Sequence, residues 1–271
     1  MIKDKIENII SRKDIDELRK LQLSTLEILI IIDDICKKNN ISYWLDGGTL
    51  LGSIRHGGFI PWDDDIDICM PREDYDLFLK IIKTDLPEDL VYEYKGSKTW
   101  YQTDISEKMS FLKIYYLDRF TSSFNGLTWN GIFVDIFPVD SVKQDTCKNS
   151  IVKLISKISN VKVKKINNKW DILRYVFGNL NLENIYINKF NKMNKDGLAD
   201  FLSYGIDTIY MNQKHIQSKQ TVYPLNKASF EGIEFSIPND YDTYLKILYG
   251  DYMKIPNEVD QVTHVNNISI K

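Results

Sequence analysis

The sequence predicts an α+β fold, a mixed β-sheet flanked by helices, with additional helices towards the C-terminus. Three observations carry that prediction. Apolar residues recur at helical spacing between Ile15 and Lys38, "DDDIDICM" alternates acidic and apolar residues at strand period, and the distant "NGIFVDIFPVD" is dense in β-branched and aromatic residues. Helix and strand signals interleave along the first half of the chain, the pattern of a sheet with helices packed on it.

In chain order, Leu18, Leu21, Leu26, Leu29 and Ile32 lie on one stripe of a long helix that ends at "KKNN". "ISYWLDGG" reads as a short buried strand running into the glycine pair Gly47 and Gly48, and Thr49 begins the short helix "TLLGSIRH". After a turn at Gly57 and Gly58, "DDDIDICM" is a second strand, and "PREDYDLFLKIIK" opens a second main helix with proline. "VYEYKG", "FLKIYYLD" and "NGIFVDIFPVD" are further strands, with Asp140 read as a turn residue after Pro138. Residues 1–145 therefore form the core, residues 146–220 a Lys- and Asn-rich helical region, and residues 221–271 a hairpin, "FEGIEFSIP", and a helix, "DYDTYLKILYG". The last part is expected to pack back on the core in one compact unit.

Composition narrows the function classes. A chain of 271 residues that is 43% hydrophobic and 27% charged buries a sizeable core. A net charge of -3 argues against a general nucleic-acid-binding surface, which needs a dense Lys/Arg field. Three cysteines, Cys36, Cys69 and Cys147, without CxxC spacing indicate neither a disulfide framework nor a cysteine zinc site, and point to a reducing compartment. The N-terminus lacks the apolar core of a signal peptide, and "LEILIIIDDIC" is too short and acidic to span a bilayer. The expected location is the cytoplasm, free or at the inner face of the membrane through peripheral contact.

"FIPWDDDIDICMP" places four carboxylates in five positions, Asp63, Asp64, Asp65 and Asp67. On an extended strand Asp65 and Asp67 share one face, about 6.6 Å apart. Asp63 and Asp64 rank below them as supporting acceptors. An EF-hand loop would need Gly where Ile68 stands and Glu where Asp74 stands, so that reading fails. Oxygen ligands without His or Cys favour Mg2+ or Mn2+, which bind through a few carboxylates with substrate phosphates completing the shell. Asp135, between Val134 and Ile136, is the candidate third acid, because a buried lone Asp costs several kcal/mol unless it is paired or metal-bound. Upstream, Gly47 and Gly48 allow close backbone approach and Thr49 opens a helix whose N-terminus favours an anion.

A glycine pair opening a helix, an acidic-apolar-acidic strand and a third acid on a later strand resemble the nucleotidyltransferase fold. Within it, "DGGTLLGSIRHGGFIPWDDDIDICMPREDYDLF", "GIFVDIFPVD" and "YGDYMKIPNEVDQVTH" are similar to the LicD family. The resemblance makes residues 1–145 a nucleotidyltransferase-like catalytic core. It implies an enzyme that transfers a phosphoryl-alcohol unit, typically phosphocholine from CDP-choline, to a sugar hydroxyl of a cell-surface glycan or its lipid-linked precursor, releasing CMP. Relatives resembling fukutin and fukutin-related protein transfer ribitol phosphate from CDP-ribitol.

On this reading Asp65, Asp67 and Asp135 are the catalytic, metal-binding carboxylates, with Asp135 holding a second metal or taking the proton of the attacking hydroxyl. Gly47, Gly48, Thr49, Arg55, His56 and Lys113 are the candidate substrate-binding residues, and Asp46 orients the glycine turn with Asp63 and Asp64 in support. An edge-strand lysine that prevents strand pairing is the competing reading of Lys113. Trp62, Trp129 and Tyr115 are the aromatics nearest the acidic strands that would suit a quaternary ammonium. A nucleotidylyltransferase moving NMP from an NTP uses the same acids, and transfer of ribitol or glycerol phosphate from a CDP-alditol is the other alternative.

Overall fold

The computed structural model describes residues 6, 9–12, 14–94, 111–116, 120–124, 127–130, 132–143, 199–205, 216–261, 263 and 266–270. The first long element is α1, Glu17–Asn39. Asp16 caps it by accepting from the Arg19 N–H at 2.8 Å, and Asn40 ends it in the left-handed conformation at φ 54°. Its apolar stripe is driven deep into the core: Ile28, Leu29 and Ile32 have no exposed surface. Burying each such side chain stabilises the fold by roughly 1.5–3 kcal/mol.

There follow β1 (Trp44–Leu45), α2 (Gly47–His56), β2 (Ile66–Pro71), α3 (Arg72–Asp85), β3 (Leu90–Glu93), β4 (Leu112–Tyr116), β5 (Phe120–Phe124), β6 (Leu127–Asn130) and β7 (Phe133–Val142). The main sheet has the order β1-β2-β7-β4-β3. Among the described residues only the β2–β7 pairing within it is parallel, so the sheet is mixed and the fold α+β. β7 is the spine: β2 lies along one side of it, and β4 and then β8 (Phe201–Tyr204) share the other.

The helical reading of residues 146–220 needs correction where the chain is described. Phe201–Tyr204 is strand β8, antiparallel to β7, and Gln217–Ser218 is β9 beside it, followed by the short helix α4, Lys219–Val222. β7 extends to Val142 and offers a free edge beyond the end of β4, and pairing with it outweighs local propensity. The rest of that region lies outside the described residues. Asp140, read as a turn residue, is instead on β7 and takes a two-pronged ion pair from Arg72 at 2.8 and 3.0 Å.

The C-terminal part contains the hairpin β10 (Asn226–Phe230) and β11 (Ile233–Ile237), helix α5 (Tyr241–Tyr249) and strand β12 (Asn266–Ile270), which pairs with β5. The hairpin turn is tied to the front of the molecule. Arg19 of α1 donates to both oxygens of Glu231 at 3.0 and 2.6 Å, and Glu231 also accepts from the Phe59 N–H at 3.1 Å. Glu231→Ala should lower stability by about 1.5–3 kcal/mol, the range for hydrogen bonds to charged groups. An unchanged urea midpoint would show that this lock is not holding the turn. Among the described residues no helix is long and apolar enough to cross a membrane.

Candidate active site

The two faces of the sheet differ sharply where β2, β7 and β4 meet. Ile66, Ile68, Val134, Ile136, Leu112 and Ile114 have no exposed surface and form the core side. The alternate positions carry charge. Asp67 of β2 is the register partner of Asp135 on β7, and Asp135 is the partner of Lys113 on β4. Direct partners in a sheet project to the same face, so Asp67, Asp135 and Lys113 form one row across three strands. The Lys113 ammonium donates to Asp135 Oδ1 at 2.5 Å and lies 3.6 Å from the ring centroid of Phe133 and 5.1 Å from that of Phe111. β4 is an interior strand between β7 and β3, which removes the edge-strand reading of Lys113.

Strand parity governs less of the acidic cluster than the alternation suggested. β2 starts at Ile66, so Asp63, Asp64 and Asp65 lie in the loop before it. Their carboxylate oxygens come within 4.8 Å of one another. The loop is held by the Asp63 N–H donating to Ile60 O at 2.9 Å and by the buried Gln22 amide donating to Asp63 O at 2.8 Å. Asp65 joins the two groups, since its charge acts on both Asp67 and Asp135.

The glycine pair packs directly against these acids. α2 begins at Gly47 rather than Thr49, with Gly47 at φ 52°. A Cβ on Gly47 would stand 2.8 Å from Asp67 Oδ2, and one on Gly48 would stand 2.6 Å from Asp63 Oδ2. Thr49 is buried, and its hydroxyl accepts the Asp67 N–H at 2.9 Å, so its visible work is to fix β2 at Asp67.

Asp46 does more than orient a turn. It precedes α2 without capping it through its side chain, and is wholly buried. Its carboxylate accepts from the hydroxyls of Tyr204 on β8 and Tyr244 on α5, the latter at 2.7 Å, and from the Cys69 thiol at 3.1 Å. Burial, and then the negative field of Asp46, raise the pKa of both phenols well above the usual value, so both remain donors. Tyr244→Phe should cost about 1–3 kcal/mol by leaving this carboxylate one donor short. A thermal melt within error of wild type would overturn that assignment.

Loss of solvent raises the Asp67 pKa well above the usual range, and Asp65, Asp135, Asp46 and Asp63 push it further. Burial lifts Asp135 to about 6, against the pull of Lys113. Close, mutually repelling carboxylates with only oxygen donors fit a hard divalent cation, Mg2+ or Mn2+, and do not fit zinc.

Comparison with known proteins decides the family. Residues 40–165, which contain the glycine pair, the acidic loop, β2 and β7, match the family described as LicD/FKTN/FKRP, nucleotidyltransferase domain. The chain is 32% identical over 271 aligned positions, covering 91% of it and 95% of the relative, to the lipopolysaccharide cholinephosphotransferase LicD of Haemophilus influenzae. This chain belongs to the LicD family. Shorter matches, 56% identical over 34 residues, reach the ribitol 5-phosphate transferase FKRP of human and mouse, covering 12% of this chain and 7% of those proteins.

The other residues singled out from the LicD blocks fall into different settings. Arg55 donates to the carbonyls of Tyr252 at 2.7 Å and Lys254 at 3.4 Å, and its Nε to His56 Nδ1 at 3.4 Å. These contacts tie α2 to the segment after α5. His56 stands edge-on to Trp62, with ring centroids 6.3 Å apart. Tyr115 is buried and donates to Glu93, so it is a core residue and not part of a cage. The side chain of Trp129, and His264 of the distal LicD block, lie outside the described residues. Sequence reasoning missed Tyr204, Tyr244 and Tyr249. Tyr249, the last residue of α5, is 47% exposed, and desolvation of its hydroxyl and then the charges of Asp46, Asp67, Asp63 and Asp65 raise its pKa. Nothing in "LKILYG" distinguishes Tyr249 from a core aromatic at helical spacing.

Proposed function

We propose that this LicD-family protein is a metal-dependent phosphotransferase that moves phosphocholine from CDP-choline to a sugar hydroxyl of a cell-surface glycan or its lipid-linked precursor. The observation that carries the reading is that Asp67 and Asp135 are direct partners on one face of the sheet, with Asp65 in the loop that leads into β2, in a chain similar over nearly its whole length to a lipopolysaccharide cholinephosphotransferase. Asp65, Asp67 and Asp135 are the oxygen set that would hold Mg2+ or Mn2+. Such an ion would neutralise charge as it develops on the leaving nucleotide.

The remaining chemistry belongs to the chain. The N-terminus of α2 at Gly47 and Gly48 receives phosphate oxygens, as helix N-termini do. The acceptor hydroxyl oxygen attacks the phosphorus that bears choline. The bond from that phosphorus to the bridging oxygen breaks, its electron pair departs on CMP, and the hydroxyl proton passes to the Asp135 carboxylate. Phosphoryl transfer depends mainly on positioning and charge stabilisation, so no covalent nucleophile is needed.

The test incubates the purified protein with Mg2+, a glycan acceptor and, in turn, CDP-choline, CDP-ribitol, CDP-glycerol and each NTP. CMP release with CDP-choline is expected. CMP only with CDP-ribitol would shift the substrate to that of the FKRP matches, and pyrophosphate from an NTP would identify a nucleotidylyltransferase. No CMP from any CDP-alcohol overturns the proposal.

A further inference from the structure

We infer that Lys113 takes the place of a second metal ion, so that the site loads one divalent cation and the lysine ammonium supplies the other positive charge to the substrate's pyrophosphate. The inference rests on the metal-dependent phosphotransferase reading and deepens it.

Position and confinement carry the argument. Lys113 completes the row that begins with Asp67 and passes through Asp135, on an interior strand whose backbone is held on both sides. Its ammonium is seated on Asp135 Oδ1 at 2.5 Å and against the faces of Phe133 and Phe111, and the residue is only 7% exposed. A second divalent ion on that oxygen would have to drive the ammonium out of a seat built from a carboxylate and two aromatic rings. A lone pair between a surface lysine and an acid would lack the ring contacts. The ion pair also stands in the strand register of Asp67, which puts the ammonium in line with the acid on β2 across Asp135. The ammonium therefore supplies at Asp135 Oδ1 the positive charge that a second ion would bring there, and it faces the same phosphates without having to be loaded.

Counting ions tests this independently of turnover. Mn2+ titrated into the protein with saturating CDP, followed by the loss of the free Mn2+ resonance signal, should give one ion per chain for wild type. Lys113→Arg keeps the charge and should also give one. Lys113→Met removes it and should either bind a second Mn2+ or bind the first at least tenfold more tightly. Two ions in wild type would overturn the inference even if Lys113→Met failed to fold. It would also fall if folded Lys113→Met, checked by circular dichroism, matched wild type in both number and affinity. Absence of any Mn2+ binding by wild type would sink the metal-dependent reading itself, whereas two ions would leave that reading standing.

Discussion

Asp67→Asn should abolish turnover, by on the order of 10³-fold or more, while raising the thermal stability of the metal-free protein. The two effects have one origin. Asp67 is held beside Asp135 and within the fields of Asp65, Asp46 and Asp63, and its pKa is raised well above the ordinary 3.8. The folded state keeps the Asp67 proton to higher pH than the unfolded chain does. Stability from this group is therefore fully present below the ordinary value and is lost as pH rises towards the folded value. Neutral pH lies above the ordinary value, so there the wild type has lost stability through this group, and the neutral amide removes that loss. In chelator the variant should melt above wild type at pH 7, with the gap closing as pH falls below about 4. Added Mg2+ should narrow the gap at pH 7, because the ion stabilises only the protein that binds it. A variant that melts lower than wild type at every pH would mean that Asp67 is a structural acid. One that retains near-normal activity would remove it from the metal set.

Gly48→Ala and Gly47→Ala should damage activity much more than folding. The new methyl on Gly48 would come within 2.6 Å of Asp63 Oδ2 and that on Gly47 within 2.8 Å of Asp67 Oδ2. In each case the atom struck is the end of a side chain that can turn aside, so the backbone survives and a site carboxylate moves. Displacement of a reacting group by about 1 Å costs roughly 100-fold in rate. Gly48→Ala should lose about that much with a stability change under about 1 kcal/mol, helped by alanine's better helix propensity. Gly47→Ala adds the strain of a left-handed residue at φ 52°, a further cost of about 1–2 kcal/mol. Wild-type rates for Gly48→Ala would show that the contact between the glycine pair and the carboxylates is not needed.

Much of the frame was legible because it depends on local periodicity. The helical stripe appears as α1, the alternation of Ile66 to Met70 as β2, and the apolar run around Asp135 as β7. Parity placed Asp67 on the charged face, and the cost of a buried lone acid pointed to Asp135. Parity stopped working at Asp65, which lies in a loop held at Asp63 by Ile60 O and the Gln22 side-chain amide rather than by a ladder. β8 was illegible for a related reason. "FLSY" has too few residues to show a period, and its strand state comes from the exposed edge of β7 beyond β4. The role of Asp46 was hidden more completely, because its donors Tyr204 and Tyr244 stand 158 and 198 residues away.

The amino-acid sequence by itself determined which residue types this site has to work with: oxygen-only ligands spaced for a strand, a glycine pair before a helix, and family blocks specific enough to name LicD. Those are properties of short segments, where side-chain chemistry and backbone preference act within a few residues. Only the tertiary structure decided that Asp67, Asp135 and Lys113 stand in one row, that Thr49 serves Asp67, and that Asp46 is sealed beneath the turn by two tyrosines. Strand register and burial belong to the packed chain as a whole, and no segment carries the information about which distant strand will lie beside it.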